Sequence, residues 1–209
     1  MAKVIKTIEG KAMWAKVFEP DTKFNPDGDY SINLLMSEEQ AAEMGEYLEG
    51  LTQEKFNEEV KRNPKLKNTL SIRPPYEPAY DRDGNETGDV EFKFKLKAKV
   101  QTRDGQTYEQ KPVVVDAKRV PMNGEVLVGN GSVVKVAFEP IPYVIAATKM
   151  CGVSLRFKGV QVLDLVEYGN SGASMFEEED GYVAQAIEKD DASEVPFDEA
   201  VDATVEGDF

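Results

Sequence analysis

The chain has 209 residues, 41% of them hydrophobic, and its 25 Lys+Arg against 39 Asp+Glu give a formal net charge of −14. That is enough apolar material for one compact domain with an appendage, and no run approaches the roughly 18 apolar residues that span a bilayer, so no membrane association is expected. Histidine is absent and Cys151 stands alone, which excludes imidazole acid–base chemistry, His-based nucleophile pairs, thiolate zinc sites and internal disulfides, and fits a reducing compartment.

Along the chain, residues 4–17 read as a strand with a bend at Gly10. Asn25-Pro26-Asp27-Gly28 is a turn, and residues 29–36 form a second strand. Ser37-Glu38-Glu39-Gln40 has the form of a capping box. Ala41, Met44, Leu48, Leu51, Phe56 and Val60 follow near helical spacing, so a helix is predicted over about 38–62, weakest at Gly50 and stopped by Asn63-Pro64. Pro74, Pro75 and Pro78 predict an extended loop outside the sheet that carries Tyr76 and Tyr80. Residues 90–100 alternate strictly, with Val90, Phe92, Phe94, Leu96, Ala98 and Val100 on one face. The other face carries Lys93, Lys95, Lys97 and Lys99, so a single strand with a core side and a lysine side is predicted. Asp104-Gly105 and Asn130-Gly131 are hairpin turns, short strands are expected at 113–116 and 125–128, and longer ones at 132–138 and 152–166, the last with a bulge at Gly159. About seven strands and one early helix describe a mainly β protein, a small antiparallel barrel over residues 1–168.

The charge is not spread evenly. Residues 167–209 hold 14 of the 39 acids and one base, Lys189, a net of −13, which leaves 25 acids and 24 bases, a net of −1, for residues 1–166. Residues 169–209 are therefore predicted to be a flexible acidic tail, too poor in apolar surface to offset the ordering of its own backbone. Isolated Met175, Phe176, Tyr182, Ile187, Phe197 and the terminal Asp208-Phe209 give that tail docking character.

Four like charges about 7 Å apart on one strand face repel one another, and a repeating anion laid along them relieves the repulsion. Arg103, Arg156 and Lys158 are further candidate phosphate contacts. Tyr76 and Tyr80 beside Arg73 and Arg82 suit base stacking, and Trp14 beside Lys16 is either a platform or a core residue. Asp116, Glu139 and Asp164 could hold magnesium only if the fold gathered them, and no spacing in the sequence does so.

Certain strings add to this reading: Trp14-Ala15-Lys16-Val17-Phe18-Glu19-Pro20, Asp29-Tyr30-Ser31-Ile32-Asn33-Leu34-Leu35, Lys111-Pro112-Val113-Val114-Val115-Asp116, and residues 129–136 and 152–162. In this order, and with an acidic tail ending in Phe, the chain resembles the single-stranded DNA-binding proteins encoded by short-tailed lytic bacteriophages. The resemblance implies an OB-fold and a sequence-nonspecific coat on unpaired DNA in phage replication, recombination and repair. It implies no enzymatic activity and no cofactor. The charge split leads to the expectation that the tail competes with DNA; the resemblance further implies that it recruits DNA polymerase and helicase-primase, that a homodimer is possible, and a place in the cytoplasm of the infected bacterial host. The rival reading is a virion or scaffolding protein with an acidic assembly tail, whose lysine row meets another protein's acids.

Overall fold

A computed structural model describes residues 4–81, 83–102 and 104–167. The expectations placed on Arg82, Arg103 and the tail, with Asp208 and Phe209, lie outside the described residues. In chain order the elements are β1 (Ile5–Lys6), β2 (Gly10–Asp21), β3 (Asp29–Ser37), α1 (Glu38–Arg62), β4 (Ser71–Ile72), β5 (Glu77–Tyr80) and β6 (Glu86–Lys97). They continue with β7 (Lys99–Gln101), β8 (Thr107–Glu109), β9 (Val113–Val115), β10 (Val133–Ile145) and β11 (Met150–Asp164).

Five long strands make the body. β2 pairs with β3, β3 with β6, β6 with β11, β11 with β10, and β10 back with β2. Two of these seams, β6–β11 and β2–β10, are only two residue pairs long, so the barrel is partly open. This is the strand arrangement of an OB-fold. Most pairings are antiparallel, as the sequence predicts, but β11 runs parallel to β6, β9 and β4. Alternation reveals a strand and its buried side; it carries no information on the direction of the partner.

The core follows from that alternation. Ile32 and Leu34 of β3, Phe92 and Phe94 of β6, Val134, Val136 and Phe138 of β10 and Phe157 of β11 are all fully buried. The Phe94 and Phe138 rings meet edge to face at 5.0 Å, a favoured aromatic geometry. Helix α1 begins as the capping box requires: the Gln40 amide donates to Ser37 Oγ at 3.2 Å, and the Ser37 amide to Gln40 Oε1 at 3.3 Å. It runs through Gly50 unbroken and buries Ala41, Leu48 and Thr52.

Four predicted elements come out differently. The strand over 90–100 ends at Lys97: the Ala98 amide donates to the Gly28 carbonyl and its own carbonyl accepts from the Gln110 amide. The backbone thus leaves the barrel, and Lys99 belongs to a separate β7–β8 hairpin. Part of the proline-rich loop, Glu77–Tyr80, is a strand paired with β6. Residues 125–128 form no strand and make only an isolated bridge, Val128 to Glu167. Finally, β10 continues through Pro140 and Pro142 to Ile145, because beyond Phe138 it pairs with β11 alone and a missing amide donor is tolerated on the open side.

Candidate nucleic-acid interface

Strand register, not sequence proximity, assembles the exposed cations. Lys16 of β2 lies opposite Ser31 of β3, Ser31 opposite Lys95 of β6, Lys95 opposite Arg156 of β11, and Arg156 opposite Glu139 of β10. One row of outward residues therefore crosses all five barrel strands, with neighbours roughly 5 Å apart at the backbone. Asn33 opposite Lys93 and Asp29 opposite Lys97 flank it.

The four lysines are not equivalent. Lys93 Nζ lies 2.5 Å from Glu77 and 3.6 Å from Glu91, and Lys99 Nζ lies 3.8 Å from Glu109. Among the described residues Lys95 and Lys97 form no ion pair. The Glu77 carboxyl is held below its usual value, first by its hydrogen bond to Lys93 and then, against some burial, by Arg73. Lys93 is correspondingly raised, chiefly by Glu77. Arg156 and Lys158 share Glu139, at 3.5 and 3.1 Å. That engagement, with Asp116 accepting from the amides of its own turn at Lys118 and Val120, leaves these carboxylates tied to separate partners.

Beside the row opens a cleft of about 250 Å³, lined by Arg73, Tyr76, Glu77, Lys93, Lys95 and Tyr143 over Val153 and Leu155. Tyr76 is half-buried, its ring 5.4 Å from Phe92 and its hydroxyl donating to Glu49 at 2.9 Å. That hydrogen bond and burial raise its pKa. It is a fixed wall of the cleft. Gly45 makes room for it, since a side chain there would stand 3.1 Å from the ring. Tyr143 lies across Gly152, where any side chain would meet its hydroxyl at 2.8 Å. Tyr80 is exposed on β5, with its hydroxyl 3.4 Å from Glu86.

Trp14 is 65% exposed, which places it on the surface. It sits at a register shift of β2 with φ of 52°, its amide donating to Asn130 Oδ1 at 2.8 Å, and it lines a separate depression with Lys16 and Leu127. Sequence reasoning missed Tyr143 and Phe24. Phe24 is 88% exposed in the β2–β3 loop, with Lys23 Nζ 5.6 Å from its ring centroid. The β2–β3 and β10–β11 loops are those that flank the oligonucleotide-binding face of OB-folds. The signal for Phe24 was present, a large aromatic next to lysine inside a turn with no core to enter.

Comparison with known proteins agrees with this fold. The model of a family described as "Single-stranded DNA-binding protein, Bacteriophage T7" matches residues 9–165. The single-stranded DNA-binding protein of Enterobacteria phage T3 is 28% identical over 196 residues, covering 84% of each chain. That of Escherichia phage T7 is 33% identical over 120 residues, covering 55% of this chain and 51% of the relative. Among solved structures, gp2.5, a single-stranded DNA-binding protein encoded by bacteriophage T7, superposes with a TM-score of 0.62 at 27% identity, covering 88% of this chain and 100% of that one.

Proposed function

The chain belongs to the family of the bacteriophage T7 single-stranded DNA-binding protein, and from that premise we propose that it binds unpaired DNA without regard to sequence, through the outward face of β3, β6 and β11. The observation that carries this is the cross-strand row: Lys16, Lys95 and Arg156, far apart in the chain, are aligned by register beside a cleft walled by Tyr76 and Tyr143. Phosphates take the cations, and bases take the rings that stand free of the core. Charge supplies affinity whatever the sequence. Stacking, about 1–3 kcal/mol per base, supplies the preference for unpaired strands. Neither term needs catalysis or a cofactor, and the chain is read as a binding protein.

The charge split supports two further parts of the proposal. The tail, net −13 over 167–209, competes with DNA for the cationic face. Once displaced, it offers its acids and Phe209 to replication proteins, DNA polymerase and helicase-primase, during phage replication in the cytoplasm of the infected bacterium. A homodimer is part of the same reading.

Fluorescence anisotropy of a labelled oligothymidylate, titrated at several salt concentrations, tests the core claim. About four phosphate contacts give a slope of log K against log[salt] near −2.8, and Lys95→Ala with Arg156→Ala moves it toward zero by about 1.4. A virion or scaffolding protein would leave the oligonucleotide unbound, and a slope unaffected by both substitutions would place the interface elsewhere.

A further inference from the structure

A second depression, of about 330 Å³, lies on the part of the wall built by β1, β10, β11 and β9. Its floor is apolar, formed by Val113, Val115, Ala137 and Gly159, and its rim is Lys6, Arg119, Lys135 and Lys158. Gly159 is a requirement of the packing there, since any side chain would meet the Val113 carbonyl oxygen at 2.6 Å. Among the described residues Lys158 alone of the four cations is in an ion pair, with Glu139. Lys6, Arg119 and Lys135 thus gather like charge round an apolar floor with no ion pair of their own among the described residues.

Arg119 carries a second cost. Its φ is 69°, a conformation that residues with side chains rarely adopt. The turn is held there from several sides. The Asp116 carboxylate accepts from the Lys118 and Val120 amides, both at 2.8 Å, and the Gln161 side-chain amide donates to the carbonyls of Asp116 and Ala117 at 3.4 and 3.0 Å. An over-determined turn that keeps an arginine strained above a concave surface is what a ligand clamp requires.

The depression is continuous with the cationic row. Lys158 shares Glu139 with Arg156, and Arg156 stands opposite Lys95. Lys158 is also the extra residue of a β-bulge: Ala137 lies opposite Gly159 and Phe138 opposite Phe157, which leaves Lys158 without a partner across β10. Bulges re-aim side chains.

We propose that this second depression is a continuation of the nucleic-acid interface, in which Lys6, Arg119, Lys135 and Lys158 take the phosphates of a single strand that runs on past Arg156 across β11. The proposal rests on the single-strand-binding reading and adds a path that leaves the face of β3 and β6. An acidic peptide is the rival occupant of a cation-rimmed apolar depression. The strand is preferred because the cations connect this depression to the first site, a link that a peptide filling the depression alone does not need.

The test uses the full chain with labelled oligothymidylates of about 8 and about 30 nucleotides, the first within and the second beyond the site size of one OB-fold. Arg119→Gly removes the guanidinium and relieves the positive φ, so the thermal midpoint should not fall; Lys135→Ala removes a second cation. The expected result for the double variant is several-fold weaker binding of the long oligonucleotide, a salt slope shallower by about 1.4, and unchanged binding of the short one. Long-oligonucleotide binding equal to wild type overturns the proposal while the single-strand reading stands, and does so in favour of the rival if a synthetic acidic peptide bearing one phenylalanine binds wild type and not the variant. Equal weakening at both lengths also overturns it, because the cations then belong to the first cleft. A wild-type chain that binds neither oligonucleotide overturns it together with the reading beneath it.

Discussion

Glu77 keeps two cations of the cleft occupied. Its carboxylate holds Lys93 and, at 3.1 Å, Arg73, so the lysine that begins the β6 row is neutralised in the free protein while Lys95 is not. Because the folded-state pKa of Glu77 lies below its ordinary value, the stability from this cluster is present above the unfolded carboxyl's pKa and is lost as pH falls through the folded value. The same protonation releases Lys93 and Arg73. Single-strand affinity measured at constant ionic strength is therefore expected to rise as pH drops through the acid end of the carboxylate range. Glu77→Gln should reproduce the gain at neutral pH, with a salt slope more negative by about 0.7 for each cation set free. Its cost in stability should stay within about 1 kcal/mol, since the pair is half-exposed and screened. An unchanged slope in the Gln variant would mean that Lys93 and Arg73 lie off the strand's path.

At the scale of elements, local signals were legible and remote ones were not. The capping box at Ser37 and the stop at Asn63-Pro64 set the helix ends from within a few residues, and α1 spans Glu38–Arg62 accordingly. The alternation of β6 correctly placed Phe92 and Phe94 inside and the lysines outside, but the break at Ala98 is made by Gly28 and Gln110, neither visible to a period-two pattern. Lys99 was thereby credited to a row it does not share. The same limit hid Tyr143, whose place over Gly152 depends on the β10–β11 pairing, and it hid the alignment of Lys16 with Lys95, which needs two registers at once. The bulge expected at Gly159 was legible, because a glycine inside an apolar run announces close backbone approach. The bulge itself falls one residue earlier, at Lys158 against β10, and the close approach at Gly159 is to β9, which runs parallel to β11 with Val113 opposite Gly159. Gly159→Ala is accordingly expected to force β9 off β11, at a cost of about 1–3 kcal/mol for overpacking. Denaturant titration measures that loss, and faster amide exchange confined to Val113–Val115 separates it from a general loosening. A variant as stable as wild type would mean that β9 can shift without consequence.

For the molecule as a whole, the electrostatics divide near residue 167, with −13 beyond it and −1 before it. An acidic segment tethered to a DNA-binding body acts at an effective concentration of order millimolar. A chain of about 40 residues has an end-to-end distance of roughly 35 Å, comparable with a small domain, so weak contacts suffice for it to compete with DNA. Two consequences separate this competition from mere solubilisation. Truncation after Ala173 should tighten single-strand binding at low salt, where the screening length is long, and the advantage should shrink as salt shortens that length to about 8–10 Å. The truncated chain should also show the steeper salt dependence. If the tail competes as proposed, added salt weakens its hold as well as the DNA's, and the released face partly offsets the lost affinity; without the tail that offset disappears. Anisotropy titrations of both chains across the same salt series read both effects together. Superimposable curves would remove the tail from DNA binding and leave it only a role in contacting other proteins, whereas a constant ratio of affinities at every salt concentration would mean that the tail acts without charge, since any electrostatic effect is screened.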